Sequence, residues 1–144
     1  MTSRKVRISR RVREQVSKQA GYQCGYCRTH QSIAGYRLTI DHIIPEARGG
    51  SNLEDNLWLA CATCNQYKSV RTLARDPKTQ RRVRLFNPRL QEWRAHFRWS
   101  EDGTEIIGLT PCGRATVPAL QLNRVEIIAA RWLWVQAGWW PPKD

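Results

Sequence analysis

Two Cys-x-x-Cys pairs, Cys24/Cys27 and Cys61/Cys64, stand thirty-three residues apart, and no other feature restricts the fold of this chain as strongly. Two residues between cysteines let one knuckle direct both sulfurs at one ion, and four thiolates around a tetrahedral Zn²⁺ are the common structural outcome. Here the ion would close a loop longer than the roughly 15–20 residues of a simple ribbon. The alternative is two unrelated knuckles or a redox pair. Cys112 has no partner at a useful spacing and reads as a small buried apolar residue.

The loop closed by the clamp carries Thr39-Ile40-Asp41-His42-Ile43-Ile44-Pro45, then Asn56, with Asn65 just beyond it. A carboxylate is an oxygen ligand for a divalent cation, an imidazole is a base for water, and an amide completes a metal site. These are the groups that metal-assisted phosphodiester hydrolysis needs.

The 144 residues suffice for one compact domain, or a small module with an extension. A hydrophobic content of 41% and seven tryptophans argue against disorder. No stretch approaches the roughly 18 to 20 apolar residues of a membrane span. The basic N-terminus is not followed by an apolar segment of the secretory type. A cytoplasmic location is therefore expected, where paired cysteines bind zinc more often than they form disulfides.

Lysine and arginine number 24 against 12 acidic residues, a net charge of +12. One cluster holds Arg4, Lys5, Arg7, Arg10, Arg11 and Arg13; the other holds Lys68, Arg71, Arg75, Lys78, Arg81, Arg82 and Arg84. Such fields attract polyanions. Arginine suits bidentate phosphate contact, which points to nucleic acid. A solvated charged face, or affinity for acidic lipid or protein, is the other reading.

Ser9 is placed to cap a helix over Arg10 to Ala20 that Gly21 ends. Gly25 in the first knuckle suits an unusual backbone conformation. Tyr36 to Ile40 reads as a strand running into Asp41-His42, Arg48 to Asn52 as a loop, and Leu57 to Ala60 as a second strand. A helix starting near Cys61 to Cys64 then carries Asn65 and Lys68 on adjacent turns. Asn87-Pro88 marks a helix start through Trp93, and Glu101-Asp102-Gly103 a hairpin turn. A last helix over Arg124 to Ala137 aligns Val125, Ile128, Ala129, Trp132 and Val135 on one stripe. Trp132, Trp134, Trp139 and Trp140 are candidates for base stacking or for core. His30 reads as exposed and His96 as structural.

The run Leu38 to Pro45, with Gly49-Gly50-Ser51, Asp55-Asn56-Leu57 and Cys61-x-x-Cys64-Asn65-x-x-Lys68, resembles the HNH endonuclease family in its zinc-clamped, four-cysteine form. The resemblance covers about residues 20 to 72. It implies an α+β chain with a ββα-metal module; with no Gly- or Ser-rich linker in the sequence, the expected organisation is a zinc-clamped nuclease module at 1–85 with its basic N-terminal helix, and an α/β extension at 86–144 packed on it. The resemblance further implies His42 as general base, Asp41 and Asn65 as ligands of one catalytic cation, and Asn56 as the residue that pins the loop between the strands. Some family members carry histidine where this chain has Asn65. Oxygen ligation from Asp41 and Asn65 suits Mg²⁺ or Mn²⁺. Duplex DNA, nicked or branched forms included, is the expected partner, with Arg48, Lys68 and Arg71 either touching it or lying on a solvated face. Two rivals are a nucleic-acid-binding module without turnover and a nuclease subunit of a larger phage or mobile-element assembly.

Overall fold

The computed structural model describes residues 7–143; Arg4 and Lys5 of the N-terminal basic cluster lie outside the described residues. Helix α1 (Arg10–Gln19) starts where Ser9 caps it, the serine oxygen accepting from the Val12 amide at 3.2 Å. It buries Val16 and Ser17 and turns Arg10 and Arg11 to solvent. Gly21, at φ +64°, ends it as expected.

The first knuckle differs from expectation. Arg28, at φ +67°, takes the left-handed conformation in place of Gly25. Gly25 is needed for close approach instead, since a Cβ there would lie 2.4 Å from Trp58 Cδ1. After the short helix α2 (Gln31–Ala34), strands β1 (Thr39–His42) and β2 (Leu57–Ala60) pair antiparallel, with Asp41 opposite Trp58 and His42 opposite Leu57. Strand β1 begins later than the sequence suggested. Tyr36 is drawn toward the next helix, where its hydroxyl accepts from the Ala62 amide at 3.0 Å. That helix, α3 (Ala62–Lys68), completes a ββα unit.

Beyond it lie a two-stranded ribbon, β3 (Leu73–Arg75) and β4 (Arg82–Arg84), and a single turn, α4 (Trp93–His96). The hairpin β5 (Phe97–Trp99) and β6 (Ile106–Gly108) and the helices α5 (Pro111–Ala119) and α6 (Val125–Gln136) follow. The hairpin at Asp102-Gly103 forms as read. The helix expected from Asn87 does not propagate: the Asn87 side chain caps a local turn, accepting from Arg89 and Leu90 amides. Helix α5 escaped sequence reading because Pro111, Gly113 and Pro118 disfavour helix. Pro111 occupies the first turn, where its missing N–H is not needed.

The expected stripe on α6 is also corrected. Its buried residues are Ile127 and Arg131, while Val125 and Trp132 are 80% and 54% exposed. Arg131 sits between the rings of Trp99 and Trp140, at 5.5 and 6.0 Å, and donates from Nη1 to Thr104 O at 2.9 Å. Burial pushes its pKa down to about 10, a desolvation cost that the ring faces offset in part.

One core joins the two ends of the chain, running from Val16, Leu38 and Leu59 to Phe97, Ile106 and Leu122. Trp93 donates to Tyr26 O in the first knuckle at 2.9 Å. Its ring lies 5.1 Å from Trp99, which lies 4.9 Å from Trp140, which lies 5.1 Å from Trp134. Trp134 and Trp140 thus belong to this packed ladder, whereas Trp132 and Trp139 stay exposed. Among the described residues no helix is long and apolar enough to cross a membrane.

Candidate active site and zinc clamp

The sulfurs of Cys24, Cys27, Cys61 and Cys64 are all buried and lie within 4.8 Å of one another. The Cys27 and Cys61 sulfurs are 3.8 Å apart. Zinc–sulfur bonds of about 2.3 Å give a tetrahedron whose edges are about 3.8 Å, so this separation fits one ion held by four thiolates. The surrounding hydrogen bonds suit sulfur ligands too: the Cys64 amide donates to Cys61 Sγ at 3.3 Å, and the Thr29 hydroxyl stands 3.2 Å from Cys27 Sγ. Mutual hydrogen bonding holds Cys27 well below the ordinary thiol range and Cys64 well above it, and burial pushes Cys24 up. A divalent cation held there would stabilise the four thiolates together. The four-cysteine cluster has the donor set and spacing of a structural zinc site. Cys112 lies outside it and is half-buried.

The clamp positions β1, and β1 sends adjacent side chains in opposite directions. Asp41 turns inward. Its Oδ2 accepts from the Tyr26 hydroxyl at 2.6 Å, and its Oδ1 from Lys68 Nζ at 3.2 Å. Burial pushes the Asp41 carboxyl above its ordinary range, opposed by the Lys68 charge and the Tyr26 hydrogen bond. Burial and the neighbouring carboxylate push the Tyr26 phenol well up, so it stays a donor.

His42 turns the other way, toward the loop between the strands. Its Nε2 lies 2.6 Å from Asn52 Oδ1 and 3.3 Å from Glu46 Oε1. Both partners are acceptors, so the neutral ring carries its proton on Nε2 and leaves the Nδ1 lone pair available. That loop is stapled by Asn56, whose amide accepts from Ile44 N at 2.9 Å and donates to Ile44 O at 3.0 Å and Ser51 O at 2.8 Å. Gly50 passes so close beneath the Ile44 carbonyl that a Cβ would lie 1.6 Å from its oxygen.

Asn65 is half-buried on α3, its amide 3.4 Å from Thr39 Oγ1 on β1. Lys68, expected on a DNA-facing surface, is 2% exposed, and besides Asp41 it donates to His42 O at 2.8 Å. Arg48 is exposed and donates to Val70 O; Arg71 donates to Tyr67 O at 2.6 Å and to Ala119 O. His30 caps α2, accepting from the Ser32 amide at 3.0 Å, and His96 lies 2.6 Å from Thr110 Oγ1. Both bonds are structural.

Three site neighbours escaped sequence reading: Tyr26, Asn52 and Glu46. Glu46 stands four residues after His42, a spacing that hints at contact. Nothing in the spacing of Tyr26 or Asn52 shows that they face Asp41 and His42.

The family model for HNH endonuclease matches residues 24–71, which span both knuckles, Asp41-His42, Asn56, Asn65 and Lys68. No curated protein and no solved structure matches the chain. The match points to nuclease chemistry on nucleic acid, carried by a zinc-clamped ββα module in an α+β chain.

Proposed function

We propose, from the HNH endonuclease module at residues 24–71, that this protein is a divalent-metal-dependent endonuclease that hydrolyses DNA phosphodiester bonds. The observation that carries the reading is the imidazole of His42, fixed through Nε2 by Asn52 and Glu46, one residue along a strand from a buried carboxylate. Nδ1 takes a proton from water as the water oxygen attacks phosphorus. The P–O bond on the far side then breaks, and the leaving oxygen is protonated from solvent. A general base of this kind contributes about 10² to 10⁴ in rate.

Asp41 and Asn65 are the residues that would hold the cation. Two of the roughly four lone-pair positions on the Asp41 carboxylate are taken by Tyr26 and Lys68, which leaves acceptor capacity for a metal. The donor set is all oxygen and carries one negative charge, so it suits Mg²⁺ or Mn²⁺. When bound, such an ion neutralises charge on the phosphate and on the leaving oxygen.

The Lys68–Asp41 ion pair favours a second reading: a zinc-clamped DNA-binding module without turnover, its carboxylate already compensated. Supercoiled plasmid incubated with Mg²⁺ or Mn²⁺ separates the two. Nicking by the wild type, lost in His42→Ala with DNA affinity retained, supports hydrolysis. Absence of nicking with both metals, or equal nicking by His42→Ala, sinks it.

A further inference from the structure

The second basic cluster folds into a shape its sequence did not reveal. Strands β3 and β4 pair with Arg75 opposite Arg82, Leu73 opposite Arg84 and Ala74 opposite Val83. Directly opposite residues share a face, so Arg75, Arg82, Arg84 and Leu73 point one way and Ala74 and Val83 the other. The outward four are exposed; Ala74 and Val83 are half-buried beneath them, Ala74 packing on the core. Placing two arginines directly opposite each other destabilises a strand pair. Among the described residues no carboxylate forms an ion pair with Arg75, Arg82 or Arg84. Arg75 Nη1 donates to the Gln80 carbonyl at 3.3 Å, a neutral acceptor, so the net positive charge of the face is left for an outside anion to balance.

The ribbon is also held rigidly. At its tip, Asp76 receives two hydrogen bonds from Arg114 of α5, at 3.0 and 2.9 Å. The same carboxylate accepts from the Lys78 amide at 3.1 Å and the Thr79 hydroxyl at 2.8 Å, organising the loop. At its base, the Phe86 amide donates to Thr116 Oγ1 at 3.0 Å, and Arg71 donates to Ala119 O. Both ends are therefore tied to α5. A groove of about 730 Å³ at the base is lined by Leu73 and Arg84 of the ribbon together with Ile44, Asn56 and Lys68 of the ββα unit and its loop. Arg84 of the arginine face and Ile43 and Ile44, just after His42, line the same groove. The family match ends at residue 71, before the ribbon begins.

We infer that the outward face of the β3–β4 ribbon is a docking surface for duplex DNA, set beside the nuclease site, with Arg75, Arg82 and Arg84 on its phosphates. A two-stranded ribbon is one of the shapes that the major groove admits. Single strands are held chiefly by aromatic stacking, and residues 72–85 contain no aromatic side chain, so the ribbon suits a duplex. Its partner follows from the nuclease reading, but its test does not depend on turnover.

The test measures binding of a labelled duplex by the full-length His42→Ala protein as a function of salt. The same protein carrying Arg75→Gln, Arg82→Gln and Arg84→Gln is the comparison, with zinc content and thermal melting checked in both. Each phosphate contact contributes about 0.9 to the slope of log affinity against log salt, so the slope should fall by roughly 2 to 3. Lysine at the three positions should restore most of it. An unchanged slope in the glutamine protein overturns the inference, as does tighter, arginine-dependent binding of single strands. If the wild type cuts no DNA while the slope still depends on the ribbon, the nuclease reading fails and the docking surface stands.

Discussion

Lys68 Nζ lies 3.2 Å from Asp41 Oδ1, and each residue is only 2% exposed. Taking a carboxylate and an ammonium out of water is expensive, and only their mutual attraction makes it tolerable. Removing Lys68 leaves the buried Asp41 carboxylate with the Tyr26 hydroxyl and no opposite charge.

Lys68→Met should therefore lower the unfolding free energy by about 3–5 kcal/mol, whereas the double variant Asp41→Asn/Lys68→Met should lose markedly less. Urea denaturation of the variants measures both. A loss below about 1 kcal/mol for the single variant, the range of an exposed pair, would mean that another group compensates Asp41.

Asn52→Ala removes the shorter of the two bonds that hold the His42 ring. About one kcal/mol of lost hydrogen bonding predicts a fall of roughly fivefold to tenfold in the single-turnover cleavage rate. DNA affinity and zinc content should not change. A positioning role also predicts partial rescue by Asn52→Asp, which keeps an acceptor facing Nε2. Equal losses in both variants would refute it.

Cys61→Ser should reduce bound zinc below one ion per chain and loosen the strands around His42, because metal binding is coupled to folding. Elemental analysis and near-ultraviolet circular dichroism report the two effects. A well-folded wild type with substoichiometric zinc would rule out the clamp.

The catalytic metal is tested at Asn65. The wild type should work with Mg²⁺ or Mn²⁺ and poorly with Zn²⁺, and Asn65→His should shift the ranking toward Ni²⁺, Co²⁺ or Zn²⁺, since imidazole prefers softer ions. A metal titration on supercoiled plasmid decides. An unchanged ranking would remove Asn65 from the ligand set.

Asp76 gives a prediction about acid. The Arg114 hydrogen bonds hold its carboxyl well below the usual carboxylate range. A depressed carboxyl pKa contributes stability that is complete above the unfolded value of about 3.9 and is lost as the pH falls below it toward the folded value. Between about pH 5 and pH 3 the wild type should lose stability, and Asp76→Asn should show a shallower loss from a lower starting point. Parallel curves would place the acid sensitivity elsewhere. Asp41 runs in the opposite sense. Its raised pKa means that ionising it opposes folding as the pH rises above the ordinary carboxylate range.

Helix α1 and the ββα unit were legible because their signals are local. Ser9, Gly21, the two knuckles and the apolar run Leu57 to Ala60 each act within a few residues. What escaped depends on tertiary partners. Alternating arginines in β3 and β4 read as a charge run, since only α5 on the far side makes them a ribbon. Helix α5 itself was hidden by its prolines. On α6 the apolar stripe misled because the buried face is that of Ile127 and Arg131, the arginine being stabilised by rings from other elements. At the site, the residue types at Asp41, His42, Asn56 and Asn65 carried the chemistry. The partners Tyr26 and Asn52 depend on how the knuckle and the loop fold back.

The tryptophan ladder has an optical consequence. Indole rings this close couple their electronic transitions, so Trp93, Trp99, Trp140 and Trp134 should give an exciton signal in circular dichroism. Trp93 is tied to Tyr26 between the first two cysteines. A disturbance at the metal knuckle should therefore reach the circular dichroism of the C-terminal end.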